Sequence, residues 1–214
     1  MLTPKVPVAK EGYPFIWYCA FSTLVLCLLG FSLTAGIMFI LTTFVLAFFR
    51  DPERFISPDP DALVCPADGK IISIEEVEDK KFTGQRVKKV CIFMNVFNVH
   101  VNRVPFSGNV VKIMYHPGKF YSADSDKAAL ENEYFATVFS APHDRQIAVV
   151  QIAGLIARRI ICWLEPGDSA IKGSRLGLIR FGSRVDMYLP LETELVVTTG
   201  QKVRAGETII GRLQ

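Results

Sequence analysis

The chain has 214 residues, half of them hydrophobic, with 24 Lys and Arg against 21 Asp and Glu for a net charge of +3. That length holds one moderate domain with a real core, or a smaller domain plus an appendage. The basic residues are scattered without interleaved aromatics, which argues against nucleic acid as a partner; the five cysteines form no CxxC pair, which gives a disulfide framework or a zinc site little support.

The first feature in chain order is an apolar run from Pro14 to Phe49 with no charged residue. A spanning helix needs about 20 apolar residues, so this run is too long for one and suits two short ones. Its soft spot is GFSLTAG, Gly30 to Gly36, where a hairpin is expected to turn; one bent or tilted helix is the alternative. The run far exceeds the apolar core of a signal peptide and closes on FFRDPERF without a small-residue cleavage site, so a retained anchor over residues 1–49 is expected. Lys5 and Lys10 before it, and Arg50 and Arg54 after it, favour both flanks being cytoplasmic.

Residues 50–214 read as a single domain of short strands. The candidates are Lys70–Val77, Lys88–Asn95, His100–Val104, Gly108–His116, Tyr134–Ala141, Gln146–Gly154, Arg158–Leu164, Arg184–Leu189, Glu194–Val197 and Glu207–Leu213. Turn signals such as PADG, FTGQ, PFSG, HPGK, EPGD, TTGQ and RAGE separate them. The spacing predicts a mainly β (α+β) fold, barrel- or sandwich-like. Ser122–Glu133 is the one clear helical segment, with Ser122 or Asp124 as its cap. The closing stretch LVVTTGQKVRAGETIIGRL has the strand–turn–strand pattern of lipoyl and biotinyl carrier domains, with CPADGKIISIEE as a matching entrance strand.

Candidate chemistry is sparse. The three histidines are His100, His116 and His143, and none sits in a metal-ligand spacing. His116 and His143 lie in turns, while His100 lies in the apolar strand NVFNVHVNRVP. Asp68 occupies an Asp-Gly turn, and Gly182-Ser183 opens the strand RVDMYLP. Taken alone, Gly182-Ser183 reads as a bulge glycine with a solvated serine. Asp68, His100 and Ser183 could form a triad, and their separation in sequence does not count against one.

The ordered set PADGK, VHVNRVP, the Asn132-Glu133 pair, KGSRLGLIRFGS and the preceding apolar anchor resembles the phosphatidylserine decarboxylase family, in its short bacterial and archaeal form. The resemblance implies a proenzyme that cuts itself between Gly182 and Ser183. Ser183 attacks the Gly182 carbonyl to give an ester, β-elimination leaves a dehydroalanine, and hydrolysis yields a pyruvoyl group at position 183. The products are a β chain, 1–182, and an α chain, 183–214, held as a heterodimer. By resemblance His100 is the base and Asp68 its partner, since a serine hydroxyl needs such activation. The pyruvoyl group, with no pyridoxal phosphate and no metal, forms a Schiff base with phosphatidylserine and accepts the electrons released with CO₂, giving phosphatidylethanolamine.

Larger bacterial relatives carry two histidines three residues apart here; the second position is Arg103 in this chain. One imidazole then serves both steps, or Arg103 holds the substrate's phosphate or carboxylate. The upstream pair Gly173-Ser174 is set aside as the cleavage site because it belongs to the family's KG element. The expected partners are phosphatidylserine and the inner membrane, with the β domain on the cytoplasmic side; homo-oligomerisation stays open. A membrane-tethered carrier module without catalysis is the competing reading, and a pyruvoyl enzyme for another aminophospholipid is a third.

Overall fold

The computed structural model describes residues 7–119, 121, 131–141, 145–154, 159–180 and 183–213. The chain divides into two compact units, Met1–Glu53 and Arg54–Gln214.

The first unit is a helical hairpin. Helix α1 (Tyr13–Leu28) follows a short 3₁₀ turn, and α2 (Ser32–Phe48) returns antiparallel to it. The chain reverses at Gly30, whose φ of 80° is the left-handed conformation glycine adopts without strain. Gly36 lies inside α2, so the turn is tighter than the Gly30–Gly36 stretch suggested. Thr23 and Thr42 hydroxyls meet between the helices at 3.0 Å. The open end is tied by the Ala9 amide donating to Phe49 O and the Asp51 amide to Pro7 O, both 2.8 Å.

The second unit is mainly β. Its strands are β1 (Ala62–Val64), β2 (Gly69–Glu78), β3 (Arg86–Met94), β4 (Val101–Arg103), β5 (Gly108–His116), β6 (Tyr134–Ala141) and β7 (Arg145–Ala153). They are followed by β8 (Ile160–Cys162), β9 (Ser169–Ala170), β10 (Arg175–Ile179), β11 (Ser183–Pro190), β12 (Glu194–Leu195), β13 (Lys202–Val203) and β14 (Ile209–Arg212). Among the described residues, eight strands form one curled antiparallel sheet in the order β13-β2-β3-β11-β7-β6-β5-β9. Two small sheets, β4-β10-β8 and β1-β14-β12, complete the unit. β13 pairs with β2 through Lys202↔Lys70 and Val203↔Gly69, which joins the carrier-like closing stretch to the PADGK segment. The expected helix at Ser122–Glu133 falls mostly on residues 122–130, outside those described.

β11 is the axis of the large sheet. Its residues Ser183 to Pro190 pair with β3 from Met94 to Val87, and Ser183 to Tyr188 pair with β7 from Ala153 to Ala148. The alternation read from the sequence holds: Val185, Met187 and Leu189 are fully buried in the main core with Ile92, Val90 and Val149. Ser183 shares their parity and so points into the same core.

The opposite face of β11 is not solvated either. Arg184 and Asp186 are 5% and 0% exposed. The guanidinium grips the carboxylate through Nε and Nη2 at 2.6 and 3.1 Å, and Nη2 also donates to Cys91 Sγ at 2.8 Å. Lys89 Nζ approaches the same carboxylate at 3.4 Å and lies 5.6 Å from the Tyr188 ring centre. Phe82 closes this face edge-on to Tyr134 and Tyr188, its loop held by backbone amides 81–83 donating to the Asp79 carboxylate. Removing one partner of a buried pair leaves an uncompensated charge. Asp186→Asn is expected to cost about 3–5 kcal/mol, read by chemical denaturation of the full chain in detergent; Arg184→Met/Asp186→Leu is expected to recover most of that loss.

Candidate active site

Ser183 is the first residue of β11 and is wholly buried. Its hydroxyl donates to Met94 Sδ at 3.4 Å, directly across the β3–β11 ladder. A thioether is a weak acceptor, so this hydroxyl is shielded from water but loosely held. The solvated serine that the isolated Gly-Ser motif suggested is thus absent from position 183. Gly182 lies outside the described residues.

A second donor reaches the same sulfur. Asn102, in the middle of β4, points its Nδ2 at Met94 Sδ from 3.6 Å. Its Oδ1 accepts from Gln151 Nε2 at 2.8 Å, and Gln151 stands on β7 opposite Val185. Asn102 and Gln151 are both fully buried. Gly177 of β10 makes room for this contact: a Cβ there would lie 2.1 Å from the Ile161 carbonyl oxygen and 3.1 Å from Gln151 Nε2.

His100 precedes β4 by one residue and is completely buried. Its Nδ1 is 3.0 Å from the Asn98 carbonyl oxygen. A carbonyl only accepts, so Nδ1 carries a proton, and in a neutral ring Nε2 is the acceptor nitrogen. That is the tautomer a general base requires. The loop before it is set by Asn side chains: Asn98 Oδ1 accepts from the Asn95 amide, and Asn95 Oδ1 from the Phe97 amide, each at 2.9 Å.

Asp68 lies just before β2. Arg54 Nη2 donates to both its oxygens at 3.0 and 2.9 Å, and the Ala205 amide donates to Oδ1 at 2.8 Å. The Asp68 carboxylate is thus engaged by Arg54 and the β13–β14 turn, while His100 Nδ1 rests on the Asn98 carbonyl. The Asp68 and His100 segments are nonetheless joined, because the Arg103 amide donates to the Pro66 carbonyl at 2.8 Å. Arg54 leads a short strap in which Ile56 fits over Gly173, where a Cβ would come within 2.3 Å of Ile56 Cδ1.

Arg103 is buried, and its Nη1 donates to the Gly173 carbonyl at 2.9 Å. Ser174, the rival serine, follows Gly173 in a partly exposed turn whose carbonyl accepts from the Val104 amide. Asn132 joins the neighbourhood from the far side. Its Nδ2 donates to the carbonyls of Tyr121 and of Ala153, the β7 residue opposite Ser183, at 2.8 and 2.7 Å.

The sequence did not single out Met94, Asn102 or Gln151, and it read Arg54 only as a charge flanking the anchor. The available signal was a polar residue at an inward-facing strand position, as with Gln151 in QIAVVQIAG. Among the described residues, no group of three or more His, Cys, Asp or Glu could hold a metal ion. The turn between β13 and β14 bears Arg204, Ala205 and Gly206 and no lysine, so it lacks the attachment residue a carrier domain needs.

Comparison with known proteins places this geometry in context. The model of the phosphatidylserine decarboxylase family matches residues 41–211. A phosphatidylserine decarboxylase proenzyme of Desulfotalea psychrophila is 57% identical over 213 residues, covering all of both chains. Proteins of the same name from Citrifermentans bemidjiense and Nitratidesulfovibrio vulgaris are 48% and 47% identical, covering 100% and 99% of this chain and 100% and 97% of their own.

The thiols report on packing around the site independently of its chemistry. Burial pushes Cys65 up to about 12, with the nearby Asp68 charge adding to it. Burial likewise pushes Cys91 up to about 11, with Asp186 adding and Arg184 opposing. Both folded values lie above the ordinary 9.0. Their contribution to stability is therefore full below the unfolded value and is lost as pH rises towards the folded ones. We expect Cys65 and Cys91 to resist alkylation at pH 8 until the chain is denatured, and stability to fall between pH 9 and about 11. Intact-mass labelling and denaturation at stepped pH read the two effects.

Proposed function

This chain belongs to the phosphatidylserine decarboxylase family, and from that premise we propose that it decarboxylates phosphatidylserine to phosphatidylethanolamine after cutting itself between Gly182 and Ser183. The observation that carries the reading is the buried Ser183 hydroxyl resting on the Met94 sulfur at the head of β11. A hydroxyl held by so weak an acceptor gives up little when it turns to another partner.

His100 is the base in this reading. With Nδ1–H fixed on the Asn98 carbonyl, the ring presents Nε2 to take the Ser183 proton as Oγ attacks the preceding carbonyl. Asp68 sets the scene at one remove. It ties Arg54 and the Ala205 turn to the segment bonded to Arg103. Arg103, held on the Gly173 carbonyl, is the residue proposed to meet the phosphate or carboxylate of the substrate.

A pyruvoyl group formed at position 183 supplies an electrophilic carbonyl for the substrate amine and the electron sink for the departing carboxylate. The residues around Ser183 suit it: Met94, Asn102 and Gln151 are neutral, and the Asn102 amide is a donor for a carbonyl oxygen. Burial keeps water from the reacting atoms, and His100 is suited to return a proton after CO₂ leaves.

The N-terminal hairpin is read as the membrane anchor. Among the described residues, one helix, Lys10–Leu28, is long and apolar enough to cross a bilayer, and Ser32–Phe48 is apolar but shorter. A diacyl lipid leaves the bilayer reluctantly, so an anchored enzyme meets it at the headgroups. In this reading the β domain faces the cytoplasm.

Intact mass of the purified chain tests the proposal. Two fragments dividing at residue 183, the smaller with a pyruvoyl end, are expected, and an unbroken folded chain with decarboxylase activity refutes it. Ser183→Ala is expected to abolish cutting and Ser174→Ala to leave it intact. His100→Ala and Asp68→Ala are expected to slow cutting by at least about a hundredfold; wild-type processing in either removes that residue from the mechanism.

A further inference from the structure

Two buried neutral polar side chains, Asn102 and, through it, Gln151, meet the Met94 sulfur on which Ser183 rests. Ser183 Oγ and Asn102 Nδ2 donate to one sulfur, at 3.4 and 3.6 Å. Two donors on one thioether is a poor use of either, because sulfur accepts weakly. Asn102 cannot turn its amide over without losing the Gln151 Nε2 bond at 2.8 Å. Gln151 is fixed in turn by its place on β7 and by Gly177, which leaves its amide packed on the β10 backbone. Gln151 Oε1 is buried with no hydrogen-bond partner among the described residues, so the pair is held at the expense of a stranded acceptor. The arrangement keeps an N–H donor on the same Met94 sulfur that Ser183 Oγ rests on.

We propose that Asn102 is the hydrogen-bond donor to Ser183 Oγ during the elimination that follows ester formation, and that Gln151 is the residue that positions it. The inference rests on the self-cleavage reading given above. In the ester, Oγ is acylated by Gly182. The Cα proton of residue 183 passes to a base, the Cα–Cβ double bond forms and the Cβ–Oγ bond breaks. Its electron pair goes to Oγ, which departs as an oxygen of the Gly182 carboxylate. Negative charge thus grows on an atom that shares the Met94 sulfur with Asn102 Nδ2, in a dry core where one preorganised donor acts strongly. The initial attack needs no such donor, since there Oγ gains a bond to carbon. Loss of Asn102 should consequently stall the reaction after the ester and not before it.

Hydroxylamine distinguishes these stages. It cleaves an ester at residue 183 to give a Gly182 hydroxamate and a fragment beginning with intact serine, whereas completed elimination gives a pyruvoyl end. The full-length chain in detergent is followed by intact mass, with and without hydroxylamine. Asn102→Leu/Gln151→Met replaces both partners with apolar groups of similar shape, a change folded cores tolerate. Gln151→Met alone keeps the donor but frees it to turn.

We expect both variants to accumulate hydroxylamine-labile ester, with pyruvoyl formation slowed roughly a hundredfold in the double variant, the size seen when one such donor is removed, and less in the single one. Pyruvoyl formation at the wild-type rate in the double variant overturns the proposal. So does a folded double variant that stays uncut and resists hydroxylamine, since Asn102 would then act on the first step or on structure alone. If the double variant does not fold, Gln151→Met decides by the same criteria. A wild-type chain with no cut at residue 183 refutes the self-cleavage reading itself, a result separable from these.

Discussion

The molecule is organised around a hydroxyl buried where hydroxyls are uncomfortable. Ser183 begins the central strand of the large sheet, inside the main core, with a thioether for a partner. Burying a hydroxyl without a good acceptor is unfavourable, and the surrounding structure does little to relieve it. Asn102 competes for the same sulfur, and Gln151, while holding Asn102, keeps a carbonyl oxygen without a partner among the described residues. Such concentrated discomfort in an otherwise close-packed core is what the proposed reaction would draw on.

The supports of this site come from distant parts of the sequence. β3 brings Met94, β4 brings Asn102 with His100 just ahead of it, and β7 brings Gln151. Asn132 ties down the end of β7, and the Asn98 carbonyl fixes the imidazole. The Arg54 strap belongs to the same unit: Ile56 occupies the space that Gly173 leaves, and Arg54 holds Asp68. A residue that looked like a charge flanking the anchor is therefore a structural partner of a proposed catalytic carboxylate.

Much of the β framework was readable from periodicity and turn chemistry. Gly108–His116 and Tyr134–Ala141 were anticipated to the residue, and β2, β3 and β7 to within two. β10 was not anticipated, because Arg175–Ile179 is short and has Gly177 at its centre, a residue that lowers strand propensity and is present for close backbone approach. The short strands β1, β9 and β13 escaped for want of length. Ser183, His100 and Asp68 were singled out through resemblance to a family and stand as proposed site residues, whereas periodicity alone pointed to a solvated serine. The Asn102–Gln151 pair was hidden for a different reason: a hydrogen bond between side chains 49 residues apart leaves no local pattern.

The position of β11 has a consequence for the life of the protein after the proposed cut. The shorter piece would begin with a strand laced on both edges, to β3 and to β7, so severing the backbone would not set it loose. Yet the connectivity that delivered that strand to the middle of the sheet would be gone. Once the two pieces were pulled apart, the short one would have to find a slot between two strands that had meanwhile collapsed together. Maturation would then act as a ratchet: the covalent chain would serve as its own assembly jig, and the cut protein would survive by never letting go.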